Sequence, residues 1–450
     1  MKLPKKIIQK YNQKDALLVI STYPKQGEIY SKDVDAVAPY TKNTILGIKK
    51  NNPTQKIVVL APCIKATDSF SFYEEDGVLV VRCFQRNDVL SFANIIKLAK
   101  TFTAIASVLV AFEFSSFGDT KSTLALPFLL SALALMGKRL SLVLHQVVLD
   151  LSTLSGHIGV TKNGVKTKFM SWFLRKYYAL LCAPVQSVIV LEDEIKKRLS
   201  SLVNAKKIHV SYHGVDASKA VKNADQEAAR KKLGITNDEF VLVYFGYITW
   251  YKGADFFIEA LKNKKQLGKK KLRVILAGGP SATQNQKVHY QKFFQKVAGL
   301  VAANKHVSLT GFVEEKDLKT YLAASDLLVF PYRTFMSSSG ALATAFAFQK
   351  PFIVSEKLKK YFASHDMAAL LSSLGISFTD ISFALTEKSL WDRIQKVSQK
   401  EMYSKLLLLS RGIRQQRDFG VLAKQYSVIG AQVKRFTFSL PRLQLNYGDK

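Results

Sequence analysis

Uninterrupted apolar runs of strand length recur through the first half of the chain, at DALLVIST (15–22), KIVVLAP (56–62), GVLVVRCF (77–84), ASVLVAFEF (106–114), LSLVLHQV (140–147), SVIVLE (187–192) and KIHVSYHG (207–214). Most are separated by helix-sized segments. Their continuous rather than alternating apolar character predicts strands covered on both faces, as in parallel sheets. The polar stretch VDASKAVKNADQEAARKKLGITNDE (215–239) then breaks the series and predicts a linker followed by one helix. A second series follows with FVLVYFGYI (240–248), LRVILAGGP (272–280), HVSLTGFV (306–313), DLLVFPY (326–332) and PFIVSE (351–356), separated by helices such as GADFFIEALKNKK and EKDLKTYLAAS. Alternating strands and helices predict an α/β protein with two doubly wound, Rossmann-like domains. We place the first at residues 1–213 and the second at 214–418, with a helical segment at 419–450 packing back on the first. In open parallel sheets ligands bind beyond the carboxyl ends of the strands, so two such sheets should face each other across a central cleft.

Composition narrows the setting. A chain of 450 residues, 48% hydrophobic and 11% aromatic, is long and apolar enough for two cores, which excludes a disordered chain. The formal charge of +32 fits an anionic partner: a phosphorylated small molecule, a membrane surface or nucleic acid. No zinc-finger, RNA-recognition or helix-turn-helix signature accompanies it, so no specific nucleic acid is expected. The odd set Cys63, Cys83 and Cys182 has no metal-like spacing and predicts buried thiols in a reducing compartment. The start MKLPKKIIQKYNQKDALLVIS lacks a leader-type apolar segment, and the apolar stretches 104–114 and 122–136 are too short to span a bilayer. These predict a cytoplasmic protein with a buried strand and a buried helix there.

The chemistry gathers at strand ends of the second series. In FGYITWYKGADFFIEAL, Lys252 and Gly253 open a helix after a strand. A glycine that lets the backbone turn tightly, exposed helix N–H groups and an ammonium together make a phosphate site, although an ordinary strand-to-helix loop with a solvated lysine has the same residues. LAGGP (276–280) is another glycine-rich strand end without a full dinucleotide fingerprint. Further on, Ser337, Ser338, Ser339 and Gly340 precede a small-residue helix, four residues after Arg333.

In this order, FGYITWYKGADFFIEAL, LRVILAGGP, VSLTGFVEEKDLKTYLAASDLLVFPYR and SSSGALATAFAFQKPFIVS resemble the donor-binding half of the family 4 retaining glycosyltransferases, which have the GT-B fold. The resemblance is strongest over residues 240–356. Weaker matches lie upstream. STYPKQGEIYSKDVDAVAPYTKN looks like the family's first-strand loop, with Gly27 and a helix opening at Thr41, Lys42 and Asn43 as candidates. VAFEFSSFG and LVLHQVV carry Glu113 and His145, and VSYHGVD carries His213 and Gly214.

The resemblance implies transfer of a sugar from a nucleotide diphosphate sugar to an acceptor hydroxyl, with retention and without a metal or other cofactor. The implied catalytic set is His145, Lys252 and Arg333. The implied substrate-binding set is Gly27, Glu113, Gly253, Ser337, Ser338, Ser339, Gly340 and Thr344. The acceptor would be a glycan or lipid-linked molecule, as in cell-surface glycan or glycolipid synthesis. Two departures stand out. The family's paired glutamates fall here on Met336 and Thr344, and the arginine that often precedes the lysine by three or five residues is Thr249 or Tyr247. The loss of these groups shifts weight to Arg333 and keeps open a non-catalytic sugar-nucleotide or glycan-binding subunit. His145 and Glu113 each have a structural alternative as a core histidine and a loop-orienting carboxylate, and His213 reads as structural.

KTKFMSWFLRKYYALL (166–181) places Phe169, Trp172, Phe173, Tyr177 and Leu180 on one helical face, with Lys166, Lys168, Arg175 and Lys176 around it. Such a helix either covers a sheet with its aromatic face or lies on the inner, anionic face of a membrane as a peripheral anchor.

Overall fold

The computed structural model describes residues 2–29, 35, 37–65, 67–114, 116–159, 161, 164–219, 223–281 and 284–431. Its first sheet holds β1 (Leu17–Ile20), β2 (Ile57–Pro62), β3 (Ser71–Glu75), β4 (Val78–Phe84), β5 (Ser107–Phe112), β6 (Arg139–Leu144), β7 (Ser187–Val190) and β8 (Ile208–Val210), in the order β3-β4-β2-β1-β5-β6-β7-β8. Every pairing is parallel except β3 with β4. Strands β2, β4 and β7 are buried throughout, which is the physical content of their unbroken apolar runs.

The second sheet holds β9 (Glu239–Phe245), β10 (Gln266–Leu267), β11 (Lys270–Ala277), β12 (Val307–Leu309), β13 (Leu327–Phe330), β14 (Phe352–Ser355) and β15 (Ser382–Phe383). The order is β10-β11-β9-β13-β14-β15, with β12 beside β11, and only β10 runs antiparallel. The apolar stretches 104–114 and 122–136 become β5 and the helix Thr120–Leu135.

The first domain's α/β pattern hid one strand. SFYEE is amphipathic and half exposed, so it lacked the buried-strand signature, yet it forms β3 through a two-residue turn at Asp76 and Gly77, both with positive φ. Asp-Gly is the pair that such a hairpin turn favours. The expected helix opening at Thr41, Lys42 and Asn43 is corrected: that helix, Val37–Asn51, starts a turn earlier, and all three residues are buried within it. Asp35 caps its start by accepting from the Val37 and Ala38 N–H groups, each at 3.2 Å.

The chain passes between the domains at Val215 and again at Arg417–Phe419. The two crossings are stitched together: the Val215 N–H donates to the Arg417 carbonyl at 2.7 Å, and the Phe419 N–H donates back to Val215 at 3.3 Å. Helix Phe419–Ala431 then lies along helix Val37–Asn51 of the first domain, where the Tyr426 and Tyr40 hydroxyls meet at 2.8 Å.

The carboxyl ends of the two sheets face each other. Beyond β6, Gln146 bridges to Ser337 beyond β13, and Arg198 donates to the Phe335 carbonyl at 3.3 Å. His289 also meets the His157 carbonyl at 3.1 Å. Val148, Leu151 and Leu154 of the first domain pack with Met170, Leu174 and Met336. The cleft expected from the strand order is therefore bounded on both sides by strand-end loops.

Candidate functional site

At the end of β9 the chain turns at Gly246 and runs through a short 3-10 turn, Trp250–Lys252, into helix Ala254–Leu261. Lys252 is only 8% exposed and, among the described residues, its ammonium has no carboxylate partner. It lies 6.0 Å from the ring centroids of both Tyr251 and Tyr332. Burial pulls its pKa down to about 8. A Cβ placed on Gly246 would come within 2.8 Å of the Lys252 Nζ and 3.3 Å of the Ala341 Cβ. The lysine, the glycine backbone and the start of helix Gly340–Ala347 therefore converge on one point.

Gly253 is required by this geometry. Its φ is +73°, and a Cβ there would stand 2.1 Å from the Pro331 carbonyl oxygen. Backbone cannot yield as a flexible side chain can. Gly253→Ala is expected to destabilise the protein by at least about 2 kcal/mol, the left-handed backbone cost plus the clash, and to displace Lys252. A urea midpoint equal to that of the wild type would show that the loop can open without loss.

Arg333 does not point freely into the cleft. Its guanidinium forms a fork with Asp255 at 2.8 and 3.0 Å and donates to the Trp250 carbonyl at 2.7 Å, while its own N–H bonds the Tyr251 carbonyl. Although burial opposes it, the Arg333 charge, with Lys296, holds the Asp255 carboxyl below its usual range. Arg333 thus buttresses the loop that carries Lys252.

The three serines are also committed. Ser339 caps helix Gly340–Ala347 by accepting from the Leu342 N–H at 3.2 Å, and its hydroxyl meets Tyr332 at 2.7 Å. Ser338 donates to Glu192 of the first domain at 3.0 Å. Ser337 pairs its backbone with Gln146. The cap takes Leu342, so the N–H groups of Gly340 and Ala341 are the ones left for an anion at this helix start. Thr344 bonds back to the Gly340 carbonyl at 2.8 Å, and Met336 is held in the apolar contact with Val148, Leu151 and Leu154.

On the opposite wall, His145 follows β6 and stacks edge-on against Tyr40, with ring centroids 4.7 Å apart. Its Nε2 is buried and has no hydrogen-bond partner among the described residues. Burial, helped by His213, pulls its pKa down to about 3, so the imidazole is neutral at ordinary pH. Glu113 follows β5, and burial with the charge of Asp35 raises its carboxyl to about 7. Gly27 takes the conformation its residue type allows, φ +79°, but its N–H is spent on Glu75 at 2.8 Å, which also pairs with Lys42 at 2.9 Å. His213 bonds its own neighbour's carbonyl, Gly214, at 2.9 Å.

The structure brings Lys252, Gly253, Arg333, Ser339 and Gly340 into one site. It adds Gly246, Tyr251 and Tyr332, which lie within the quoted stretches FGYITWYKGADFFIEAL and DLLVFPYR, and Glu192, which lies in none of the motifs that carry the resemblance. Strand-end position was the signal available for Gly246 and Glu192. Among the described residues no group of three His, Cys, Asp or Glu side chains is placed to hold a metal ion.

Residues 225–361 match the family model described as glycosyl transferases group 1. Alpha-D-kanosaminyltransferase of Streptomyces kanamyceticus is 27% identical over 154 residues, 33% of this chain and 36% of that protein. An uncharacterized glycosyltransferase of Methanocaldococcus jannaschii is 24% identical over 149 residues, again spanning 36% of its own length. Over almost the whole chain, the fold is that of sucrose-phosphate synthase from Thermosynechococcus elongatus, with TM-score 0.65 and 13% identity over 93% of this chain and 98% of that one. HepE of Anabaena in complex with UDP-glucose gives TM-score 0.61 and 16% identity over 92% and 98%.

Proposed function

We propose that this chain, a GT-B protein whose donor side is a group 1 glycosyl transferase domain, moves a sugar from a nucleotide diphosphate sugar to an acceptor hydroxyl with retention and without a metal. The observation that carries the reading is Lys252: a buried ammonium with no carboxylate partner among the described residues, set against Gly246 and the open start of helix Gly340–Ala347. A site with that unbalanced charge favours an anion, and a departing nucleoside diphosphate develops negative charge where Lys252 and the helix amides can meet it. Arg333 holds their loop in register. The acceptor lies against the first domain near His145 and Glu113, with the neutral imidazole as a hydrogen-bonding group and the leaving phosphate oxygen taking the acceptor proton. The UDP-glucose complex of HepE supports a nucleotide-sugar donor. Thermal shift against a panel of UDP-, GDP- and ADP-sugars tests this, because a donor stabilises only the native state. No shift with any of them, together with no transfer, would end the reading.

A non-catalytic binding subunit is the second reading, favoured by Met336 and Thr344 at the family's carboxylate positions. It predicts the thermal shift but no donor hydrolysis when acceptor is withheld.

The acceptor is a glycan or a lipid-linked molecule, and the protein works in the cytoplasm, peripheral to the membrane's inner face. Helix Val165–Cys182 turns Tyr177, Tyr178, Leu181 and Cys182 inward but leaves Phe169, Trp172, Phe173 and Leu180 exposed, Trp172 by 54%. The neighbouring helix Thr120–Leu135 exposes Phe128 and Leu135. No helix among the described residues is long and apolar enough to cross a membrane. Aromatics ringed by Lys166, Lys168, Arg175 and Lys176 suit an anionic lipid surface. Co-sedimentation with phosphatidylglycerol vesicles should fall with added salt and in Lys166→Glu/Lys168→Glu. Equal sedimentation with neutral phosphatidylcholine vesicles would argue against an electrostatic component.

A further inference from the structure

Glu192 stands just beyond β7, at the start of helix Asp193–Leu199, where a side chain would ordinarily cap its own helix. It makes no such cap. Its carboxylate turns across the domain boundary and accepts from Ser338 at 3.0 Å and from Arg417 Nη1 at 3.2 Å, both on Oε1. Oε2 is buried without a partner among the described residues, and the side chain is 1% exposed.

Its two partners belong to different parts of the machine. Ser338 lies two residues before the helix whose first turn, at Ala341, shares the neighbourhood of Gly246 with Lys252. Arg417 is the hinge residue whose carbonyl stitches the two interdomain crossings. Arg417 in turn is forked on Asp366 at 2.6 and 3.0 Å, bonds Tyr361 and Ser364, and stacks on Tyr212 at 4.3 Å. One carboxylate therefore ties the donor loop to the point about which the domains would turn.

We propose that Glu192 is a positioning residue for the donor loop, holding Ser338, and through it the start of helix Gly340–Ala347, in register with the interdomain hinge. The proposal rests on the donor-site reading above for its effect on catalysis. The hold is strongest with Glu192 ionised, since a hydroxyl donates more strongly to a carboxylate than to a neutral acid. Burial raises this carboxyl to about 7, against the opposing effects of Arg417 and Ser338, with Asp366 raising it further. Tyr40 and Tyr361 also face it, and both are neutral phenols. Acidification through neutrality should therefore loosen the loop.

Hydrogen exchange of peptides covering 334–342, in the ligand-free full chain at pH 6 and pH 8 and corrected for intrinsic rates, reads this without any donor. The wild type should lose protection at the lower pH. Glu192→Gln should show the looser state at both, and so should Ser338→Ala, which leaves the buried Arg417 network intact if Glu192→Gln fails to fold. In turnover, donor KM should rise about tenfold in either variant at pH 8, the size of one charge-assisted hydrogen bond, with kcat changed much less. The double variant should be no worse than Glu192→Gln alone. Wild-type protection that ignores pH, or KM effects that multiply in the double variant, would overturn the proposal. A wild type that turns over no sugar nucleotide sinks the donor reading instead, while the exchange data still decide the hold.

Discussion

Lys252→Met is expected to lower kcat/KM for sugar transfer by about two orders of magnitude while raising the unfolding temperature of the ligand-free protein. The two effects have one cause. The native protein binds the Lys252 proton less tightly than the unfolded chain does, because burial lowers the pKa from 10.5 to about 8. The charged lysine therefore costs native stability at every pH below about 8, and that cost fades only as pH rises toward the unfolded value. Methionine fills much the same space without the charge and removes the cost. A bound diphosphate supplies the missing counter-charge, so donor affinity should also decline as pH rises past about 8, where the free enzyme loses the proton. Melting curves with and without UDP, and kcat/KM at pH 7, check both sides. An unchanged kcat/KM would take Lys252 out of the site, and a lowered melting temperature would mean that the ammonium is well bonded after all.

The layered architecture was legible in the sequence because buried parallel strands must be apolar on both faces, and such runs are conspicuous. What escaped was marginal by the same criterion: β3 is an exposed edge strand, and β10 and β15 have two residues each, too short to show any period. The site was legible at Lys252 and Gly253, where one loop supplies cation, turn and helix start together. It was less so for Arg333 and the serines. Sequence proximity suggested that they reach for phosphate, but the fold sets Asp255 against Arg333, Glu192 against Ser338, and a helix start under Ser339. Those partners lie up to 146 residues away along the chain, and no local pattern announces them. Met336 shows the same thing in apolar form: it fills an interdomain contact made by residues near 150 and 170.

Arg417→Met should destabilise the protein by roughly 3–5 kcal/mol, the range found when one partner of a buried ion pair is removed. Arg417 and Glu192 are each 1% exposed, and Asp366 accepts a guanidinium bond on each of its oxygens. Although burial works against it, the charges of Glu192 and Asp366 raise the arginine's affinity for its proton, so it is charged throughout the accessible range. Without it, the buried Glu192 keeps only the Ser338 hydroxyl, and the part-buried Asp366 keeps the Ser364 hydroxyl and the Met367 N–H. Neutralising these carboxylates is the relief open to the fold. Glu192, already near 7 in the intact network, would protonate readily, so the deficit of Arg417→Met should be larger at pH 8 than at pH 5.5. Adding Asp366→Asn to the variant removes one stranded charge and should restore part of the loss, a coupling visible as non-additive urea midpoints. A single variant within 1 kcal/mol of wild type at pH 8, or a deficit that grows on acidification, would mean that the carboxylates are satisfied by other groups and that the hinge does not depend on this arginine.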